Sequence, residues 1–223
     1  MKRSFIREIL ESIDENTISF AGGLPSENLF PKEDLKTAAV KIFDNPKAFQ
    51  YGLSNGIPEL REKIASRYTK EGFPTAKENI LITTGSQQAM YILAKFYESK
   101  DITIEEPSYL GAMNIFRLNH LKMHGIKLEK DGINIKDFKE SFKNTKLTYL
   151  IPDFQNPSAT TYCDEKRKEI AKIVSEENGI LIEDSPYSEL FFDKKNVSIS
   201  SKIPKNSFHL GSFSKTLVPS LRI

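Results

Sequence analysis

The chain has 223 residues, of which 39% are hydrophobic and 28% charged, so it can bury a sizeable core and is neither disordered nor a coiled coil. Its 32 Lys and Arg against 30 Asp and Glu leave a net charge of +2, which does not favour nucleic acid or an anionic membrane as a partner. Cys163 is the only cysteine, which excludes an intrachain disulfide. The first residues carry acids where a signal peptide is apolar, so we expect a cytoplasmic, soluble protein.

The beginning of the chain differs in pattern from the rest. Helical patterns over residues 2–13 and 31–45 flank the glycine-bearing segment FAGGLPSENLFP, and a third begins at Pro58, a residue suited to the first turn of a helix. We expect an N-terminal helical arm over residues 1–50 and a large domain over residues 51–223.

From Asn79 onward, short apolar, β-branched runs alternate with helical patterns. One helix is expected to open with Asp164 as its N-cap and to end at Gly179 as a left-handed C-cap. The alternation is typical of βαβ units and predicts an α/β fold, three αβα layers around a mostly parallel sheet. The predicted strands lie at 80–84, 102–107, 126–128, 147–152, 180–184 and 207–211.

Polar residues that follow these strands are candidates for chemistry, because ligands of parallel α/β sheets bind beyond the carboxyl ends of the strands. The sequence 85–87, Gly-Ser-Gln, opens a helix whose free N–H groups and dipole suit a phosphate. Asn156 follows another strand, although an Asn-Pro step by itself most often makes only a turn. Asp184 closes a buried run, where an unpaired charge is costly, so a cationic group should face it.

The last strand is followed by two serines, Lys215 and, seven residues later, Arg222. Two hydroxyls, an ammonium and a guanidinium in one place suit a dianionic phosphate and a reactive amine. Together the four sets comprise a phosphate cradle, a buried acid, polar donors and an amine, which are the groups needed to bind pyridoxal 5′-phosphate (PLP).

The chain resembles the fold-type I, PLP-dependent aminotransferases of class I and II, and most closely the 2-aminoadipate aminotransferase branch that is also fused to MocR-type regulators. The most specific similarity lies in GSFSKTLVPSLRI and in the acid-x-x-Tyr pattern of EDSPY. The other resembling stretches, in the family's order, are FAGGLPSENLFP, YGLSNGIPELREKIA, ITTGSQQAMYILAKF, EEPSYLGAMNIFR, IPDFQNPSATTY and LIEDSPYSELFF.

The resemblance implies a role for each matching residue. Lys215 forms the Schiff base with PLP and moves the proton between Cα and C4′. Asp184 pairs with the pyridinium nitrogen and so keeps the ring an electron sink. Asn156 and Tyr187 bond the phenolic oxygen, and Tyr109 stacks on the ring. The phosphate is held by Gly85, Ser86, Gln87, Ser212, Ser214 and Arg222.

The same resemblance implies a homodimer with shared sites, in which Tyr51 reaches the phosphate of the neighbouring subunit. The substrates are an amino acid and a 2-oxo acid, and Gly23, Asn156 and Arg7 are expected to line their pocket. No metal is expected, and neither nucleic acid nor membrane is an expected partner.

Family members are nearly twice as long as this chain, which ends inside the motif that leads into a further strand of the large sheet. The absent strand lies, in the family, between the strand near Ile80 and the one near Phe208, so a gap with unpaired edges is expected there. The C-terminal small domain, which supplies the arginine for the substrate's α-carboxylate, is also absent. We therefore expect a truncated aminotransferase with impaired or no activity.

Alternative interpretations have weaker support in the sequence. Ser212-x-x-Lys215 matches the serine–lysine acyl enzymes, but their other motifs are absent, and no G-x-G-x-x-G follows a strand. His120 and His124 have the spacing of metal ligands on one helix face, without a neighbouring carboxylate cluster. Within the PLP fold, a lyase remains open, as does a remnant or regulator-type domain that binds PLP without turnover.

Overall fold

The computed structural model describes residues 14, 16–18, 23–97 and 100–223. Within these residues the helices are α1 (Lys32–Phe43), α2 (Pro58–Lys70), α3 (Gly85–Phe96), α4 (Leu110–Leu118), α5 (Ile135–Thr145) and α6 (Asp164–Glu176). The strands are β1 (Asp101–Glu106), β2 (Lys122–Glu129), β3 (Gly132–Ile133), β4 (Leu147–Leu150), β5 (Ile180–Asp184) and β6 (Ser207–Leu210). Helices alternate with strands from α3 onward, as the sequence pattern predicted.

The strands form one sheet in the order β3-β2-β1-β4-β5-β6. Every pairing is parallel except that of β2 with the two-residue strand β3. The register places Tyr149 of β4 beside Ile182 of β5, and Asp184 beside Leu210 of β6. The prediction of a mostly parallel sheet is confirmed.

Helices cover both faces of this sheet. Residues of α3 and α4, including Met90 and Phe116, pack in one buried cluster with Ile102, Ile104 and Tyr149. Residues of α5 and α6 form a second cluster on the opposite face, which contains Phe138, Phe142, Leu150, Ile170 and Leu181. Because successive side chains of a strand point to opposite faces, adjacent residues such as Tyr149 and Leu150 belong to different clusters. The arrangement is the predicted three-layer αβα fold.

The expected strand at residues 80–84 does not form. The segment runs beside the sheet without joining it, and the amide of Ile82 donates instead to the carbonyl of Asn55. A groove separates this segment from the loop after β6, and β6 is the edge of the sheet. The apolar, β-branched composition was correct for an extended segment, but a strand also needs a neighbour within hydrogen-bonding distance. The groove corresponds to the gap that was expected here.

The ends of α6 differ in detail from the prediction. Its N-cap is Cys163 rather than Asp164, which is the first helical residue. At the other end Asn178, and not Gly179, has the left-handed conformation, with φ of +48°. Gly179 is required for space, because a Cβ there would lie 2.4 Å from the Phe142 ring and 2.8 Å from the Lys146 carbonyl oxygen.

The chain divides into two compact units, Met1–Asn45 and Pro46–Ile223. The first contains α1, whose described residues are mostly exposed, and the second contains the sheet. The helix expected over residues 2–13 lies outside the described residues, and the boundary after residue 50 stays a prediction. In the described part of the chain no helix is long and apolar enough to cross a bilayer.

Candidate active site

The polar residues selected from the sequence lie in loops at one edge of the sheet. Asp184 is the last residue of β5, Tyr109 follows β1, Asn156 follows β4, and Lys215 follows β6. These four strands are parallel and consecutive in the sheet, so their carboxyl ends meet along the same edge. We call this region the carboxyl edge.

Asp184 is the buried acid of the carboxyl edge, with 2% of its surface exposed. The Tyr149 hydroxyl donates a hydrogen bond of 2.6 Å to its Oδ2 atom, whereas its Oδ1 atom is buried without a hydrogen-bond partner. Burial raises the pKa of Asp184 to about 6, against the opposing effect of the Tyr149 hydrogen bond. The hydrogen-bond donor that the structure gives Asp184 is therefore a neutral phenol, and one carboxylate oxygen is left without a partner.

Tyr187 links the other central side chains. The Lys215 Nζ atom lies 5.7 Å from the centre of the Tyr187 ring, and the Asn156 side chain lies close enough to the Tyr187 hydroxyl to lower its pKa. Burial raises the pKa of the Tyr187 hydroxyl, and the charge of Asp184 acts in the same direction. Burial lowers the pKa of the half-buried Lys215 ammonium, which favours the neutral amine that condenses with an aldehyde. The structure thus brings Lys215 and Asn156 together at Tyr187, and Tyr187 lies close enough to Asp184 for that charge to raise its pKa.

Gly85 and Arg222 meet at the start of α3. Gly85 has φ of +69°, and a Cβ atom there would lie 2.9 Å from the Arg222 Nη2 atom. The missing side chain therefore lets the guanidinium reach the N-terminus of a 12-residue helix, where free N–H groups favour an anion. Ser86 is half-buried in the same turn.

Ser212 and Ser214 lie in the loop that also carries Lys215. The Ser214 amide donates to the Ser212 hydroxyl oxygen over 3.1 Å, and both serines are half-buried. The arrangement sets two hydroxyls on a tight turn beyond β6.

Tyr109 is fixed at the start of α4. The Gln87 Nε2 atom donates to the Tyr109 hydroxyl oxygen over 3.2 Å. A Cβ atom at Gly111 would lie 2.5 Å from the Tyr109 ring, so this glycine permits the ring to fold over the beginning of the helix. Sequence reasoning missed Gly111, for which the only signal was a glycine two residues after the aromatic residue.

Three sequence-predicted residues are not placed at the carboxyl edge by the described structure. The Tyr51 side chain is fully exposed, at 100%. Gly23 belongs to the other compact unit, and Arg7 lies outside the described residues. Their predicted roles stay predictions.

The two histidines that have a metal-site spacing do not share a helix. His120 follows the end of α4, whereas His124 lies in β2, where its Nε2 atom is 2.6 Å from Asp101 Oδ1. Among the described residues, no group of three or more His, Cys, Asp or Glu side chains could hold a metal ion.

Tyr149 is a site residue that the sequence did not reveal. It lies inside the apolar run of β4, where an aromatic residue is ordinarily only core. Its contact with Asp184 depends on the register of two neighbouring strands, which no local pattern encodes.

Comparison with known proteins gives one family. The model of aminotransferase class I and II matches residues 16–220. The aromatic-amino-acid aminotransferase 1 of Thermococcus litoralis is 32% identical over all of this chain, which spans 57% of that protein. The transcriptional regulator NorG of Staphylococcus aureus, of helix-turn-helix type, is 31% identical over 94% of this chain, which spans 49% of it.

A solved structure agrees with these sequence matches. The α-aminoadipate aminotransferase LysN of Thermus thermophilus, complexed with N-(5′-phosphopyridoxyl)-L-leucine, has a TM-score of 0.88 and 34% identity, covering 99% of this chain and 57% of its own. This chain therefore spans little more than half the length of the relatives it matches. With a family model that matches most of its residues, the chain belongs to the class I and II aminotransferases.

Proposed function

We propose that the carboxyl edge binds PLP, and that the protein transfers an amino group between an amino acid and a 2-oxo acid. Since the chain spans little more than half the length of its relatives, cofactor binding and proton transfer are what we assign to its own residues. Transamination is assigned to the whole protein.

The observation that carries the proposal is the unpartnered, buried Oδ1 atom of Asp184. A buried carboxylate oxygen without a donor is costly, and a protonated pyridine nitrogen is a donor that removes this cost. The amine of Lys215 lies near by, against the Tyr187 ring. The acid suits the pyridine nitrogen of PLP and the amine suits its aldehyde, so these residues fit the cofactor.

The phosphate end fits as well. The turn of Gly85 and Ser86 at the N-terminus of α3 offers backbone N–H groups, and the Arg222 guanidinium packs against it. An arginine fork can bond two phosphate oxygens at once. Gln87, Ser212 and Ser214 complete the proposed phosphate site.

When bound, PLP supplies an aldehyde that condenses with amines and a ring that accepts the electron pair of the substrate Cα. Lys215 holds and moves a proton at its Nζ atom, a role helped by its lowered pKa. Asp184 would hold a proton on the ring nitrogen. Asn156 and Tyr187 would hold the phenolic oxygen, and Tyr109 would lie against the ring.

Borohydride trapping tests this proposal directly. The purified chain is mixed with PLP, reduced and digested, and we expect a phosphopyridoxyl group on Lys215 in the mass spectrum. Lys215→Ala should lose the label and the visible absorbance of lysine-bound PLP. An exposed lysine that precedes β6 supplies the control, since Lys205→Ala should label as the wild type does. Labelling that is spread over many lysines, or is unchanged in Lys215→Ala, would refute the assignment.

A second candidate is a domain that binds PLP without turnover, and the similarity to the regulator NorG favours it. A lyase of the same fold uses the same residues. Incubation of the PLP-loaded protein with an amino acid and 2-oxoglutarate separates the three: transamination gives a new amino acid, a lyase gives cleavage products, and a binding domain gives neither.

We also propose a cytoplasmic homodimer whose subunits share their sites. The fully exposed Tyr51 lies among exposed apolar side chains, namely Phe49, Leu53 and Ile57, and burying such side chains favours association. Sedimentation equilibrium tests the dimer. Tyr51→Phe should weaken PLP binding without altering the oligomer if the hydroxyl reaches the partner's phosphate.

A further inference from the structure

Glu105 is a buried acid for which the proposed PLP chemistry has no role. It lies in β1 with 1% of its surface exposed. Ile102 and Ile104 face the α3 and α4 side of the sheet, so Glu105 points to the opposite side. Burial raises its pKa to about 8. A buried ionisable group is costly, which raises the question of what Glu105 does.

The partners of Glu105 all offer hydrogen atoms. Its Oε1 atom accepts from the Ile151 amide at 3.0 Å and from the Tyr162 hydroxyl at 2.7 Å, and its Oε2 atom accepts from the Gln155 Nε2 atom at 2.9 Å. The Ile151 and Gln155 groups can only donate. A carboxyl group can accept from both of these donors even when it is protonated, because its own proton can go to the Tyr162 hydroxyl oxygen, which also accepts. A glutamine would turn an NH₂ group toward one of the two donors. The donor set therefore specifies an acid at position 105.

Gln155, which is hydrogen-bonded to Glu105, also bonds to two loops of the site. The second hydrogen of its Nε2 atom goes to the Pro107 carbonyl at 2.9 Å, two residues before Tyr109. Its Oε1 atom accepts from the Ser158 amide at 2.8 Å. Asn156, whose side chain lies close enough to the Tyr187 hydroxyl to lower its pKa, is the next residue. One side-chain amide thus joins the loop after β1 to the loop after β4.

We propose that Glu105 is a positioning residue that, through Gln155, fixes Asn156 and Tyr109 for the phenolic oxygen and the ring of PLP. The proposal rests on the proposed function. It assigns Glu105 no contact with the cofactor. It predicts that breaking the Glu105–Gln155 link changes the properties of bound PLP, which a purely structural role would leave unchanged.

Three variants distinguish a positioning role of Glu105 from a purely structural one. Glu105→Gln turns a donor toward Gln155, and Gln155→Met breaks the same link from the loop side. Tyr162→Phe is the matched control, because it removes a buried hydrogen bond to the same acid at the other oxygen, away from Gln155. The visible absorbance of lysine-bound PLP is titrated against pH and against PLP concentration.

We expect the apparent pKa of lysine-bound PLP to rise by about one pH unit in Glu105→Gln and Gln155→Met, because Asn156 no longer donates to the phenolic oxygen. PLP affinity should fall about fivefold in both variants. The double variant should show little more than either single change, since both break one link. Tyr162→Phe should titrate like the wild type.

The side-chain amide resonance of Asn156 in the PLP-free chain gives a second readout. It should shift in Glu105→Gln and Gln155→Met but not in Tyr162→Phe. If wild-type chain binds no PLP, the proposed function fails, while this comparison still decides whether Glu105 positions Asn156. If Glu105→Gln does not fold, Gln155→Met decides. The proposal would be overturned if a folded Glu105→Gln or Gln155→Met variant titrated with PLP like the wild type and left the Asn156 resonance unshifted. It would also be overturned if Tyr162→Phe changed the PLP titration and the Asn156 resonance as much as these variants do.

Discussion

The Tyr149 hydroxyl donates a hydrogen bond of 2.6 Å to Asp184 Oδ2, and both side chains are buried. This contact joins two adjacent strands through their side chains on the same face of the sheet. It fixes the carboxyl plane so that Oδ1 remains the atom without a partner. The state of Asp184 should therefore depend on a residue that itself touches no cofactor.

Tyr149→Phe tests this dependence. Because the hydrogen bond lowers the pKa of Asp184 against the effect of burial, its loss should raise that pKa further and leave more of the acid protonated at pH 7. A hydrogen bond to a charged group contributes about 1.5–3 kcal/mol, so PLP affinity should fall roughly tenfold or more. Spectroscopic titration with PLP measures the change.

Tyr162→Phe provides the comparison for Tyr149→Phe, since Tyr162 is also a buried tyrosine whose hydroxyl bonds a buried acid, Glu105. Both variants should lose comparable stability in urea. Only Tyr149→Phe should lose PLP affinity. Equal affinities in the two variants would show that Tyr149 does not tune Asp184.

Alanine substitutions at three glycines distinguish the effect of backbone strain from that of crowding at the phosphate site. Gly85 and Gly72 both have positive φ, but a Cβ meets the Arg222 guanidinium only at Gly85, and Gly52 has neither constraint. We expect Gly52→Ala to be neutral and Gly72→Ala to lose about 1 kcal/mol of unfolding free energy from backbone strain. Gly85→Ala should lose at least as much and should also bind PLP less tightly. Urea unfolding and PLP titration measure both effects, and normal PLP affinity in Gly85→Ala would contradict the proposed cradle.

Arg167 should matter more for stability than its neighbour Lys166. Arg167 is fully buried, pairs with Asp153 at 2.6 Å and donates to the Pro152 and Tyr162 carbonyls. The Lys166 side chain is 13% exposed, but its two acid partners are 43% and 54% exposed. Arg167→Met should cost about 3–5 kcal/mol because it leaves a buried acid unpaired. Lys166→Met should cost less than about 1 kcal/mol. Chemical denaturation of the two variants measures the difference, and similar midpoints would show that the buried pair is not important.

The sequence allowed the prediction of those features that depend on local patterns. Strands β4 and β5 are short apolar runs, so the positions of Asn156 beyond β4 and of Asp184 at the end of β5 could be predicted. Parallel strands then place such residues at a common edge. This reasoning gave the fold class and most of the carboxyl edge without any knowledge of pairing.

Features that depend on distant neighbours could not be predicted. Residues 80–84 have the composition of a strand but pair with no described strand, and the gap beside them was expected only from the resemblance, not from the local pattern. The partners of Tyr149 and Glu105 are 35 and up to 57 residues away, and their contacts depend on strand register and loop path. The need for a glycine at position 179 is likewise set by a distant residue, because the ring that a Cβ atom would meet is that of Phe142 in α5.

The pH dependence of stability gives a prediction specific to Glu105. Its pKa in the folded chain is about 8, against an ordinary value of 4.5, so the folded state holds a proton that the unfolded state has lost. The resulting stabilisation is complete below pH 4.5 and is lost as the pH rises toward 8. Asp184 behaves in the same way, but only between 3.8 and about 6. Between pH 6.5 and 7.5 the change of the unfolding free energy with pH is therefore due mainly to Glu105.

We expect the unfolding free energy of the PLP-free chain to fall by about 1.4 kcal/mol per pH unit across that window through Glu105 alone. Glu105→Gln should flatten the slope there, because the amide does not titrate, whatever its effect on absolute stability. Asp184→Asn should flatten the slope only below about pH 6. Urea unfolding at half-unit pH intervals measures all three proteins. If Glu105→Gln kept the wild-type slope between pH 6.5 and 7.5, Glu105 would be ionised in the folded chain, and its three donors would outweigh the cost of burial.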